Sequence, residues 1–222
     1  MPFSLMRAQP GKTKSVRIGA LHLPAFLLTP REASALVVFA HDRKSSRLSL
    51  RNRSLALAFN RVGIATLLID LLCLDEEAQP DQVGEADIVC IADQLMDAVA
   101  WTDSVFKTQP LLIGLFGAGY GASAALVTAA QTSRISAVVS ADARLDLIGE
   151  RLKSLRAPTL FIVDDESPSL MEASRRALAR IPCDTSLEFV SHANSYTARG
   201  DIERITQLAA AWFERYLTTS RA

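Results

Sequence analysis

A chain of 222 residues with 49% hydrophobic and 22% charged side chains has the size and apolar content of one large domain with its own core, which excludes an intrinsically disordered segment. Its 24 lysines and arginines balance 24 aspartates and glutamates, so it lacks the basic excess of a nucleic-acid binder. Only three histidines, His22, His41 and His192, are available to a mechanism that needs an imidazole.

In chain order, Ser15–Ala20 and Pro24–Thr29 read as two short strands, the second ending at a turn on Pro30. Ala35–Ala40 (ALVVFA) is a continuous apolar run, as expected of a strand buried on both faces. A basic stretch leads into a helix over Leu50–Val62 that stops at Gly63, and Ile64–Leu72 (IATLLIDLL) is the next buried strand. An acidic loop, Asp75–Glu85, precedes a long helix over Ala86–Phe106. Then follow a strand at Leu111–Phe116, a helix at Tyr120–Ala130, a strand at Ile135–Ser140 and a helix at Arg144–Leu155. A strand at Thr159–Val163, a helix at Ser169–Ala179, a strand at Ser186–Val190 and a helix at Ile202–Leu217 complete the chain. This alternation predicts an α/β fold with a doubly wound, mostly parallel sheet flanked by helices. No linker, repeat or large lid divides it. We read one domain over 1–222, with N-terminal strands in 1–30 and a core in 31–222.

Thr108 to Ser133 carries no charge and contains Gly117-x-x-x-Gly121, but four glycines within eight residues, each costing about 0.8–1 kcal/mol in a helix, speak against a membrane span. Three cysteines, Cys73, Cys90 and Cys183, show no paired spacing and are predicted to be reduced thiols of a cytoplasmic protein. The first fifteen residues have no apolar stretch of secretory length. There is no zinc pattern, and no cofactor is expected. The zero net charge hides a gradient: residues 1–53 hold ten basic and two acidic side chains, and residues 54–110 hold two basic and ten acidic.

In such a sheet the site forms in the loops at the carboxyl ends of the strands. Four loops qualify: His41–Arg47, Gly117–Gly121, Asp164–Pro168 and Ser191–Ala198. Gly117-Ala118-Gly119-Tyr120-Gly121, between a buried strand and an alanine-rich helix, has the frame of a nucleophile elbow, G-x-Nuc-x-G, with Gly119 at its centre. The same residues satisfy a dinucleotide fingerprint, Gly117-x-Gly119-x-x-Ala122, with Asp142 where a ribose-binding carboxylate would sit.

Several segments carry a resemblance together: ALVVFAH, Ser45–Arg47, Arg51–Arg53, IATLLIDLL, LFGAGYGASAAL, AVVS, APTLFIVDD and AAAWFERYL. In this order and spacing the chain resembles the dienelactone-hydrolase-like group of α/β-hydrolases over most of its length. The resemblance implies that the nucleophile, acid and base positions fall at Gly119, Ser167 and Ser195. It places the oxyanion side of the cleft at His41 and Asp42, where the family has His-Gly, and at Tyr120, whose backbone N–H follows the elbow centre. Arg43 and Lys44 stand where the family has small residues; with Arg47 they predict an anion-binding mouth. Ser123, one turn into the helix, reads as a packing residue. Asp164 or Asp165 with His192, or the thiol of Cys73, are the substitutes that could restore chemistry. The expectation is a non-catalytic member with a degenerate triad that binds a small anionic ligand or a protein partner in the old cleft, with no nucleic acid and no membrane. Two alternatives stand beside it: a hydrolase of small ester or lactone substrates with altered catalytic residues, and a dinucleotide-binding protein.

Overall fold

The computed structural model describes residues 12–40, 46–72, 83–106, 110–165, 168–190 and 199–217. Eight strands form one sheet: β1 (Lys12–Ile18), β2 (Leu23–Thr29), β3 (Ala35–Ala40), β4 (Ile64–Ile69), β5 (Leu112–Ala118), β6 (Ile135–Ala141), β7 (Thr159–Asp164) and β8 (Thr185–Val190), in the spatial order β1-β2-β4-β3-β5-β6-β7-β8. β1 pairs with β2, and β2 with β4, antiparallel; from β4 to β8 every pairing is parallel. Five helices connect them: α1 (Leu50–Arg61), α2 (Glu85–Val105), α3 (Tyr120–Gln131), α4 (Pro168–Leu178) and α5 (Arg199–Leu217). The predicted doubly wound α/β sheet is therefore what forms.

The continuous apolar strands are explained by helices on both faces. In β3, Leu36, Val38 and Ala40 enter the core beneath α2 and α3, while Ala35, Val37 and Phe39 enter the core beneath α1 and α5. On the second side four rings interlock: Phe39, Phe59, Phe116 and Phe213, with centroids 5.1 to 6.2 Å apart. At one edge of the sheet, β1 is exposed from Lys12 to Ser15 and again at Arg17.

The uncharged stretch from Thr108 to Ser133 resolves into β5 and α3, not a span. Every residue of α3 from Gly121 to Ala129 is buried, which is why a polar face is missing. Thr128 ties α3 to α2, its hydroxyl donating to the carbonyls of Ala124 (2.9 Å) and Ala92 (3.3 Å). Among the described residues no helix is long and apolar enough to cross a membrane.

Two expectations are corrected. The helix predicted over Arg144–Leu155 is two short 3-10 turns, Leu145–Leu147 and Arg151–Ser154. Arg144 pairs with Asp146, a spacing of two that does not face across an α-helix, so this ion pair and an α-helical backbone exclude each other. The expectation of reduced cysteines holds at Cys183 and is corrected at Cys90. Cys183 carries a free thiol, which burial pushes above its ordinary pKa, but Cys90 is exposed on α2 and disulfide-bonded. An exposed thiol is open to a partner sulfur in a way a core thiol is not, and the inference of a reducing compartment loses its support.

Asn60 shows how the α1–β4 connection is held. Its buried Nδ2 donates to the Ile64 carbonyl (2.8 Å) and to the Thr66 hydroxyl (3.3 Å). Asn60→Ala strands both acceptors in the core, which costs about 1–2 kcal/mol. Thermal unfolding should show a Tm lower by about 2–8 °C.

Candidate functional site

The parallel strands end along one edge of the sheet, and the described candidates Gly119, Tyr120, Asp142, Asp164 and Asp165 follow β5, β6 and β7 there. β5 passes through Gly119 into α3 without any intervening loop. Gly119 adopts φ 56°, ψ −125°, a backbone conformation that a residue with a Cβ enters only under strain. Its N–H donates to the Ala141 carbonyl (2.9 Å), and its carbonyl accepts the N–H groups of Ala122 (3.1 Å) and Ser123 (3.3 Å). The turn is tight: a Cβ on Gly117 would lie 2.5 Å from Ala122 Cα and 2.6 Å from the Gly121 carbonyl oxygen. This strand–sharp turn–helix geometry is that of a nucleophile elbow, with glycine in the central position.

Ser123 is fully buried and its hydroxyl is engaged: it accepts the Arg144 N–H at 2.8 Å and lies 3.5 Å from the Gly119 carbonyl. It therefore ties the first turn of α3 to the loop after β6, in keeping with its reading as a packing residue. Asp142, just past β6, takes φ 51°, which aspartate tolerates better than most residues. Its N–H donates to the Ile162 carbonyl (3.0 Å) and its Oδ1 accepts the Asp164 N–H (2.9 Å). Asp142 thus clamps the end of β6 to the end of β7. Asp164 is half-buried and Asp165 is exposed, with its N–H directed at the Val190 carbonyl (3.4 Å).

Two residues that the sequence reading did not single out stand beside the elbow. Arg144 forms a fork with Asp146, Nε to Oδ1 at 2.9 Å and Nη2 to Oδ2 at 2.8 Å. Its guanidinium also hydrogen-bonds the Tyr120 phenol. Hydrogen bonding to Asp146 raises the Arg144 pKa, and hydrogen bonding to Arg144 holds the Asp146 carboxyl below its ordinary value. The sign follows: the pair stays doubly ionised at neutral pH and is disrupted only when acid protonates Asp146 below the ordinary carboxylate range. The signal for this pair was the Arg-x-Asp spacing directly after a buried strand, which a helical reading of the segment conceals.

Arg47 is placed differently from the anion-binding role expected of it. Its backbone N–H donates to Asp70 Oδ1 at 2.7 Å, its guanidinium pairs with Asp70 Oδ2, and it lies over the Phe26 ring, 5.1 Å from the centroid. Its charge is used to lock the loop before α1 onto β4 and β2. His41, Asp42, Arg43, Lys44, Cys73, Ser167, His192 and Ser195 lie outside the described residues. Among the described residues no cluster of three or more His, Cys, Asp or Glu is arranged to hold a metal.

With this geometry in place, comparison with known proteins is informative. A dienelactone hydrolase from Anabaena variabilis is 36% identical and superposes with a TM-score of 0.82, over 95% of this chain and 100% of that one. An esterase of Pyrococcus furiosus shares the fold with a TM-score of 0.72 at 16% identity, over 94% of each chain. Two proteins of Mycobacterium tuberculosis, from strains CDC 1551 and H37Rv, are each 39% identical over 90% of this chain and carry the provisional name phosphoribosyl transferase. The chain spans 45% of their length. No family model matches the chain.

Proposed function

The chain belongs to the dienelactone hydrolase family of the α/β-hydrolase fold, and from that premise we propose that it is a non-catalytic member whose cleft binds a small anionic ligand or a protein partner. The observation that carries this reading is Gly119 at the centre of the elbow, with φ 56° and no side chain to act as a nucleophile. The resemblance assigns the remaining triad positions to Ser167 and Ser195, neither of which is a carboxylate or an imidazole. Loss of one member of a cooperative triad typically lowers kcat by about 10⁴–10⁶. Loss of the nucleophile removes the acyl-enzyme route altogether.

The backbone argues against the dinucleotide alternative. A pyrophosphate in that fingerprint is held by N–H groups of the glycine turn, whereas the Gly119 N–H is already committed to the Ala141 carbonyl at 2.9 Å. The Asp142 carboxylate, the candidate ribose ligand, holds the Asp164 N–H. The Mycobacterium tuberculosis relatives extend well beyond the matched segment, and the matched segment has a hydrolase fold; phosphoribosyl transfer is not proposed for this chain.

The test is direct. The purified protein, incubated with a fluorophosphonate probe and assayed on p-nitrophenyl acetate, is expected to show no stoichiometric serine label. Its turnover should lie about 10⁴-fold or more below that of a family member with an intact triad. Stoichiometric labelling, or saturable turnover abolished by His192→Ala, would overturn the reading in favour of a hydrolase with relocated catalytic residues.

A further inference from the structure

Whether or not the cleft is catalytic, we propose that Cys73 and Cys90 form a reversible disulfide that tethers the connection between β4 and α2, and that a thiol reductant opens it in the folded protein. Three observations identify the pair. The sequence has three cysteines; Cys90 is disulfide-bonded and Cys183 is free, which leaves Cys73 as the partner. Cys183 is also held elsewhere. It precedes β8, at the opposite edge of the parallel sheet from the end of β4, and its thiol donates to the Ala157 carbonyl at 3.1 Å. The Leu72 N–H, one residue before Cys73, donates to the buried Gln94 Oε1 at 3.0 Å. Gln94 lies one turn along α2 from Cys90, in the i, i+4 relation that makes two helix residues neighbours. The chain leaving β4 therefore reaches α2 within a turn of the Cys90 sulfur.

Exposure opens the bond to exchange. Cys90 is exposed on α2, and exposed disulfides are the labile, regulatory ones, whereas buried structural bonds resist reduction. The thiolate of a dithiol reductant attacks the Cys90 sulfur, the S–S bond breaks, and Cys73 leaves as a thiolate that takes a proton from solvent. The second thiol of the reductant then displaces the Cys90 sulfur. The reductant departs as a cyclic disulfide, and the protein has gained two electrons and two protons. A small-molecule disulfide reverses the sequence. What the bond closes is a segment set to repel itself: Asp75, Glu76, Glu77 and Asp81 fall within seven residues, with no basic residue among them. The chain on either side is anchored without the disulfide. Asp70 pairs with Arg47, the Leu72 N–H is held by Gln94, and the Gly84 N–H donates to Asp87 Oδ2 at 2.9 Å. Reduction thus releases the ring and leaves β4 and α2 in place. The ring joins the sheet at the carboxyl end of β4, two strands from β5 and its elbow, so the redox state of the pair sets how tightly a connection at the site's edge is held.

The test compares the folded wild-type protein before and after dithiothreitol, without denaturant. Mass spectrometry of a non-reduced digest should show Cys73 linked to Cys90. Thiol labelling after the treatment, with the protein then unfolded for counting, should rise from one cysteine to all three. Limited proteolysis with an enzyme that cuts after acidic residues should cleave between residues 74 and 82 about fivefold or more faster in the reduced protein. Tm should fall by about 5–10 °C, and oxidised glutathione should restore both values. Cys73→Ser and Cys90→Ser should each match the reduced wild type and respond to neither reagent. If one variant does not fold, the other and the two wild-type states still decide. A different linkage, a bond that yields to dithiothreitol only after unfolding, or equal cleavage in the two states overturns the proposal.

Discussion

Gly117→Ala is expected to destabilise the protein by about 3 kcal/mol or more, the largest effect of any single methyl group added at this site. The added Cβ would sit 2.5 Å from Ala122 Cα, 2.6 Å from the Gly121 carbonyl oxygen and 2.7 Å from the Ala122 nitrogen. All three are backbone atoms of the elbow and the first turn of α3, so no side-chain rotation relieves the contact. Either α3 lifts off the sheet or β5 shifts in register, and both disturb the buried face of α3. At about 2–4 °C per kcal/mol for a chain of this size, Tm should fall by at least about 6–12 °C. Gly114→Ala is the informative control. There the new Cβ meets the Leu217 and Phe213 side chains at 2.8 Å, which can move, so its loss should be clearly smaller. Melting curves of the two variants, followed by circular dichroism, decide it; equal losses would mean that the elbow is not the tighter of the two contacts.

Gly119→Ser, the change that restores the family's nucleophile type, is expected to cost stability and to yield no enzyme. At φ 56°, ψ −125° a side-chain-bearing residue carries about 1–3 kcal/mol of backbone strain, so Tm should fall by about 2–12 °C. Gly119→Ala should show most of the same loss, because the strain comes from the Cβ and not from the hydroxyl. A serine without an adjacent base has an ordinary hydroxyl and remains a poor nucleophile. Turnover of p-nitrophenyl acetate should therefore stay at the wild-type background. A stable Gly119→Ser variant would argue that the turn relaxes when occupied. An active one would show that a working base still faces the elbow.

The sheet was legible in the sequence because its strands are uninterrupted apolar runs and its helices alternate with them. ALVVFA and IATLLI are buried at every position, and the pattern that announces such strands is simply the absence of polar residues. The elbow was legible from its glycines, which mark a backbone that only glycine enters at low cost. What stayed hidden depends on pairings between residues whose placement needs the fold. Arg47 reads as a free cation at a cleft mouth until Asp70, twenty-three residues away, is brought beneath it. Arg144 reads as the start of a helix until its fork with Asp146 shows that the segment is not α-helical. Asp142 reads as a ribose ligand until its carboxylate is found holding the end of β7. Propensity and spacing describe one segment at a time, whereas these roles are set by a second strand end.

The exposed edge strand β1 carries a consequence for how the sheet ends. A strand on the outside of a sheet offers unpaired backbone groups to any extended chain that approaches. Here Lys12, Lys14 and Arg17 are all exposed along that edge. An incoming strand would have to strip water from these cations or match them with acidic side chains in register. Sheet growth by strand addition at β1 therefore carries a desolvation cost that an uncharged edge would not impose.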